Sequence, residues 1–386
     1  MTELDQIYAI WQDSSVRGES GVLATVVRVE GSTYRRAGAR LLMTSGGRRV
    51  GSVSGGCLEA DLVKKAWWLT EGGKAVVRKY DTSVEGEIAQ EFGMGCNGVI
   101  HVLLERLETA LISPLTMVPA VQQSRHRGFL ATVIESRNNS SVHVGQRWAC
   151  FPDGAVQTDL PIGAIVEYLE SAYQVLGGTP RVLTYEGAGH STDLFFEHLP
   201  PTLRLLVFGA GDDAIPMVRL ARFMGYEVMV LDGRSHLARA DRFPGATNVL
   251  VTQPENRLAG IELDDWTAAV VMSHSYEQDL ETLEALAGHR LPYLGFLGPR
   301  NRTEKLLAEA NVSLDEIAEA LHSPIGLDIG ADGAEQIALA VIAEIQSVLN
   351  RRAGGRLREK AGPLHGELAG ASDRDFYRVP AACPMS

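Results

Sequence analysis

Residues 203–232 read LRLLVFGAGDDAIPMVRLARFMGYEVMVLD. Leu203–Phe208 is apolar except for Arg204, the pattern of a strand buried on both faces of a sheet. It runs into Gly209-Ala210-Gly211-Asp212-Asp213-Ala214, a G-x-G-x-x-A turn. Helical spacing follows at Ile215, Val218, Arg219 and Arg222, with Pro216 in the first turn, where its missing N–H costs nothing. A second strand, 227–231, ends in Asp232. Strand, glycine turn, helix, strand and terminal acid in this order specify a Rossmann-type unit. Gly209, Gly211 and Ala214 shape its phosphate turn, and Asp232 is placed to accept a ribose hydroxyl. Asp212 and Asp213 lie where a pyrophosphate would dock and oppose one unless they point away. The pattern therefore specifies a fold without specifying NAD(P) as its ligand.

Working outward toward the C-terminus, 247–251, 268–272 and 293–297 read as further strands of the same sheet. His274 follows one of them at its carboxyl end, where open α/β sheets gather ligands. It reads either as a contact to substrate or cofactor or as a cap for the next helix. Glycine-rich loops occupy 295–300 and 323–330, and Asp332-Gly333-Ala334-Glu335 reads as a capping box. The helix after it carries Ile337, Ala338, Val341, Ile342 and Ile345 on one side. Beyond Arg351 the chain is polar, glycine-rich and aperiodic, as expected of a disordered tail or a partner contact.

Toward the N-terminus, Pro200-Pro201 marks a boundary, and the chain before it repeats itself. Phe129–Ile134 matches Val22–Val27, and Phe195–Leu199 matches Leu103–Leu107. Arg181–Tyr185 likewise matches 75–80, and a helix over 162–176 ends at Gly177-Gly178 as the earlier one ends at Gly72-Gly73. This is an internal duplication of one α+β unit. The expected organisation is a unit over 1–110, a degenerate copy over 111–200, a Rossmann-like domain over 201–350 and a tail over 351–386. The fold class is α/β, an N-terminal duplicated α+β region followed by a Rossmann-like, doubly wound parallel sheet.

Only the first copy carries chemistry. Residues 31–59 read GSTYRRAGARLLMTSGGRRVGSVSGGCLE. Two short strands, 40–43 and 50–53, meet at a Ser45-Gly46-Gly47 turn, and a helix begins after Cys57. A thiol where a strand ends and a helix begins sits in the field that favours its thiolate. Gly55 and Gly56 let backbone N–H groups approach an anion, and Arg35, Arg36 and Arg40 supply cations for phosphate or carboxylate oxygens. The alternative is a tight turn with a buried, inert cysteine. A second glycine cluster, Gly93-Met94-Gly95-Cys96-Asn97-Gly98, suggests another backbone held open for a ligand. The second copy has Asn138-Asn139-Ser140 in place of the arginine–glycine run and Leu160-Pro161-Ile162 in place of the SGGC junction.

The residues GSTYRRAGARLL and GSVSGGCLEADLV resemble the N-terminal signature of XdhC/CoxI proteins, maturation factors for molybdenum hydroxylases. The resemblance extends through the later glycine loops to the helix after Gly333. It departs at Tyr34, where the family often has Pro, at Ser54, where it often has Gly, and at Asn97, where it more often has Gly. It implies a chain that binds the molybdenum cofactor (molybdopterin or its dinucleotide form), protects it through sulfuration and hands it to an apo-hydroxylase. A cysteine desulfurase is the implied sulfur donor. Cys57 is the implied contact to molybdenum or its sulfur, alongside Cys96, Arg35, Arg40, Gly55 and Gly56. A nucleotide-bearing cofactor would also suit the crevice at Gly209, Gly211, Ala214, Asp232 and His274. The rival reading is an NAD(P)-dependent oxidoreductase with His274 as acid/base, against which no matching catalytic set is legible.

Composition bounds these readings. The chain has 386 residues, 45% hydrophobic and 22% charged, enough for two or three cores in a globular protein. A net charge of −12 argues against a general nucleic-acid binder. No 18-residue apolar run exists to span a membrane. The acidic, amphipathic start is unlike a signal peptide. Four dispersed cysteines (57, 96, 150, 383) without a C-x-x-C pair point to a reducing cytoplasm rather than a disulfide framework or closed zinc site. The duplicated unit favours a homodimer.

Overall fold

The computed structural model describes residues 2–56, 58–81, 98–108, 110–161, 163–176, 179–187, 189–310, 312 and 317–360. The described chain forms two compact units, 3–201 and 202–359.

In the first unit, α1 (Glu3–Val16) precedes β1 (Gly21–Gly31), β2 (Arg40–Thr44) and β3 (Arg49–Gly51). Then come α2 (Glu59–Leu69), β4 (Val76–Asp81) and β5 (Gly98–Arg106). The second half adds α3 (Pro114–Ser124), β6 (Gly128–Arg137), β7 (Arg147–Cys150) and β8 (Val156–Thr158). It ends with α4 (Ala164–Val175), β9 (Arg181–Gly187) and β10 (His190–Leu199). Each half is a five-stranded antiparallel sheet of the same order, β3-β2-β1-β5-β4 and β8-β7-β6-β10-β9. The duplication expected from the repeated apolar runs is therefore present in the topology. The helix α3 has no counterpart in the expected elements. Ser113 caps it, accepting from the Thr116 N–H at 3.3 Å, and Pro114 opens it.

Strand alternation assigns the two faces of each sheet. In β1, Val22, Ala24 and Val26 turn toward Leu62 and Ala66 of α2. Val27 turns the other way and meets Leu103, Ile134 and Phe195, so the two sheets pack back to back. Val27 matches Ile134, and Leu103 matches Phe195, in the repeat read from sequence. The polar residues obey the same symmetry. Arg40 lies opposite Thr25 and donates to Glu197 Oε1 at 2.5 Å. Its counterpart Arg147 lies opposite Thr132 and grips both Glu105 oxygens at 2.6 and 2.7 Å. All four charged side chains are buried, and two reciprocal ion pairs lock the copies together. Arg40 is thus corrected from cofactor ligand to interface residue, because its Nη1 and Nη2 are engaged by the Gly38 carbonyl and Glu197 inside the core.

The second unit runs β11 (Arg204–Phe208), α5 (Ala214–Phe223), β12 (Glu227–Asp232), β13 (Asn248–Val251) and β14 (Thr267–Val271). It continues with α6 (Tyr276–Leu286), β15 (Leu294–Phe296), α7 (Arg300–Glu309), β16 (Leu321–His322) and α8 (Ala334–Leu349). The strands form a parallel six-stranded sheet in the order β13-β12-β11-β14-β15-β16, the dinucleotide-fold order read from its centre. Leu205, Val207, Val228 and Val230 face α5 and α8, while Leu206, Phe208, Met229 and Leu231 face α6 and α7. Both faces are covered, which explains the near-continuous apolar strands. The capping box expected at Asp332–Glu335 is made differently. Gln336, not Glu335, accepts the N–H groups of Asp332 and Gly333, at 2.9 and 3.4 Å. Residues 361–386, expected to be disordered, lie outside the described residues.

Candidate functional site

The stretch between β3 and α2 folds around a carboxylate. Glu59, the first residue of α2, turns back over the loop that precedes it. Its Oε1 accepts the Val53 and Ser54 N–H groups, each at 2.9 Å, and the Ser52 hydroxyl at 2.8 Å. Its Oε2 accepts the Gly56 N–H at 2.9 Å and the Ser54 hydroxyl at 2.5 Å. Ser54 Oγ in turn accepts the Leu58 N–H at 2.8 Å, and Ser52 Oγ accepts that of Gly55 at 2.9 Å. Burial works against the Glu59 charge, but the converging serine and amide donors win and hold its carboxyl at about 2.

The backbone donors expected at Gly55 and Gly56 exist, and the chain itself satisfies them. Gly55 and Gly56 have φ of +83° and +123°, a conformation that turns amides inward without side-chain strain. Cys57 lies outside the described residues, but its neighbours Gly56 and Leu58 are each pinned by a side chain of the same loop. Glu59 was missed as a site residue. The signal was available: a serine-rich turn followed by an acid in the first helical turn is a relative of the capping box.

Arg35 donates to both oxygens of Glu3, at 2.6 and 2.8 Å, so its charge is neutralised within the unit. A side chain at Gly55 would stand 2.7 Å from the Tyr34 ring, and one at Gly98 would stand 2.4 Å from the Ser32 carbonyl oxygen. The loop before Cys57 and the strand after Cys96 therefore converge on 32–34. Cys96 also lies outside the described residues. Cys150 is buried, its thiol pushed up by burial and by the nearby Asp153, which is the state of an inert core cysteine. Among the described residues, no cluster of three or more His, Cys, Asp or Glu is arranged to hold a metal.

The second unit has its own crevice at the carboxyl ends of β11, β12 and β14. Gly209 has φ +125°, and a side chain there would stand 2.5 Å from the Met272 carbonyl oxygen. Its absence of a side chain serves the approach of β11 to β14. A side chain at Gly211 would meet Asp213 Oδ1 at 2.4 Å, because that carboxylate folds back over the turn. Asp213 also pairs with His274 Nε2 at 2.7 Å, while Asp212 pairs with Arg242 at 2.6 Å. His274 itself has φ +58° and a 62% exposed side chain, and Ser275, not His274, caps α6. Ala214 is fully buried as the first residue of α5.

Asp232 departs most from expectation. It is only 2% exposed and accepts the Ala210 N–H at 2.8 Å, the Arg234 N–H at 2.8 Å and two guanidinium donors of Arg234 at 2.9 and 2.7 Å. Burial pushes its carboxyl up, but Arg234 and the amides hold it below the ordinary carboxylate range. Arg234 also reaches the Ser273 carbonyl at 2.8 Å, stapling the end of β12 to the end of β14. Its accepting oxygens filled from within the unit, Asp232 offers nothing to a ribose hydroxyl. With Asp213 lying over the phosphate turn, the residues present do not fit NAD(P) in its usual mode.

Comparisons with known proteins agree on one family. The profile described as XdhC and CoxI family matches residues 15–81, and that described as XdhC Rossmann domain matches 205–345. A Bacillus subtilis protein described as a probable xanthine dehydrogenase subunit is 33% identical over 330 residues, 85% of this chain and 92% of its own. The Escherichia coli molybdenum cofactor insertion chaperone PaoD is 26% identical over 339 residues, 87% of this chain and 86% of its own. A solved structure described as a xanthine dehydrogenase from Bacillus halodurans superposes with a TM-score of 0.74 at 28% identity, covering 94% of this chain and 98% of that one.

Proposed function

The chain belongs to the XdhC and CoxI family, and from that premise we propose that it is a maturation chaperone of a molybdenum hydroxylase. It holds the molybdenum cofactor as cargo and delivers it to an apo-hydroxylase of the xanthine dehydrogenase or carbon monoxide dehydrogenase type. The observation that carries the reading is similarity across more than four-fifths of the chain to both a cofactor insertion chaperone and a probable xanthine dehydrogenase subunit. Cys57 is the proposed contact to molybdenum or its sulfur, since a thiolate suits a soft metal centre. Glu59 holds the loop before that thiol, and Ser54, itself bound to Glu59, holds the Leu58 amide after it. A cysteine desulfurase is the proposed sulfur donor and the cytoplasm the proposed setting. Among the described residues no helix is long and apolar enough to cross a membrane.

The test is to purify the protein from a host expressing the cofactor pathway and to assay bound molybdenum and pterin in the wild type and Cys57→Ala. Cofactor bound by the wild type and lost from the variant supports the carrier reading and the thiol contact. Equal cofactor in both retires Cys57 as the ligand. No cofactor in either overturns the carrier reading and calls for a nicotinamide titration of the second unit.

A further inference from the structure

A cavity of about 380 Å³ opens between the β2–β3 turn and the face of α2 that carries Val63 and Trp67. That volume falls in the range of small-molecule sites, about 300–1,000 Å³. Its apolar wall is Met43 of β2 with Val63 and Trp67, one turn apart on α2. Its polar side is Thr44, Arg48 and Arg49. Trp67 is braced from its own helix end. Arg106 lies 4.5 Å from the indole centroid and donates to the Trp67 carbonyl and to Thr70 Oγ1, each at 2.9 Å.

The two arginines differ in what they have left to give. Arg48 donates to Asp13 Oδ2 at 2.6 Å and to Glu19 Oε2 at 3.4 Å, so its charge is neutralised within the unit. Arg49 stands opposite Met43 in the hairpin register, is exposed, and its side chain has no hydrogen bond or ion pair to any described residue. An unneutralised guanidinium at the edge of a cavity walled by a fixed indole is a donor pair waiting for an oxyanion. It supplies a local positive charge in a chain whose net charge of −12 repels anions at long range.

We propose that this cavity is a second ligand site, taking a flat-ringed molecule that carries one phosphate or carboxylate group. The ring lies on Trp67 between Met43 and Val63, and the anion takes the Arg49 guanidinium. The site is independent of the cysteine loop, and its failure would leave the carrier reading untouched.

The probe is 1-naphthyl phosphate, titrated calorimetrically into the full chain. 1-Naphthol serves as the uncharged analogue and inorganic phosphate as the ringless one. The wild type should bind 1-naphthyl phosphate saturably at one site and each analogue at least about tenfold more weakly, tenfold being the scale of one charge-assisted hydrogen bond. Arg49→Gln, at an exposed and unpartnered position, should keep the wild-type melting temperature. It should lose about tenfold in affinity for 1-naphthyl phosphate while binding 1-naphthol unchanged. No saturable binding by the wild type, equal affinity in Arg49→Gln, or 1-naphthol binding as tightly as its phosphate ester each overturns the proposal.

Discussion

Replacing Glu59 tests whether one carboxylate holds the loop around Cys57. Five donors converge on its two oxygens, three of them backbone N–H groups. The fall of its proton affinity from the ordinary 4.5 to about 2 corresponds to about 3 kcal/mol of preference for the charged form in the folded state. Because the group is partly exposed, solvent screening reduces the usable part to about 1–2 kcal/mol. Glu59→Ala should therefore cost the first unit about 1–2 kcal/mol at neutral pH. Glu59→Gln should not rescue it fully, since an amide nitrogen facing donors replaces one of the two accepting oxygens.

The sign with pH follows from the depressed carboxyl. Its contribution is complete above about pH 4.5 and is lost as pH falls toward 2. The gap between wild type and Glu59→Ala should narrow by roughly two-fifths by pH 3.5. The assay is amide hydrogen exchange at Val53, Ser54 and Gly56 combined with urea unfolding at pH 7 and 3.5. A second readout is the alkylation rate of Cys57, which should change in the variant because the Gly56 amide loses its acceptor and Ser54, which holds the Leu58 amide, loses its own partner. Unchanged protection of those three amides at pH 7, or a stability gap that does not shrink with acid, refutes the account.

The reciprocal ion pairs between the two copies give another test. Arg147→Met, which strands Glu105 in the core, should destabilise the first unit by about 3–5 kcal/mol in chemical unfolding, while Arg147→Met with Glu105→Leu should recover most of that loss. The Rossmann turn gives a contrast between two glycines. Gly209→Ala meets a backbone carbonyl at 2.5 Å and a disfavoured φ, and should cost the second unit about 3 kcal/mol or more in thermal unfolding. Gly211→Ala meets only the movable end of Asp213 and should cost about 1 kcal/mol or less.

Much of the architecture was legible from local pattern. The run through Leu203–Phe208, the turn at Gly209 and the strand ending at Asp232 specify a parallel βαβ unit because period, turn chemistry and burial all point the same way. The repeated VLATVV and FLATVI runs announce the duplication, and alternation along them divides inward from outward residues. The short β16 was missed because two residues, Leu321 and His322, carry no periodic signal. In the candidate site, the strand–loop–helix around Gly55 and Gly56 was readable for the same local reasons.

What only the tertiary structure decided is which charge each charged group answers. Arg40 and Glu197 are 157 positions apart, and nothing near Arg40 in sequence announces that partner. Asp232 has the sequence position of a ribose acceptor, yet its oxygens are filled by Arg234 and the Ala210 amide once β11 and β12 lie side by side. Glu59 takes the donors that a glycine loop would otherwise hold out to an anion. A local sequence dictates backbone dihedrals and the period of burial, since both act over a few residues. Ion pairing and donor saturation act through space, and folding chooses among every group the chain brings within about 3 Å.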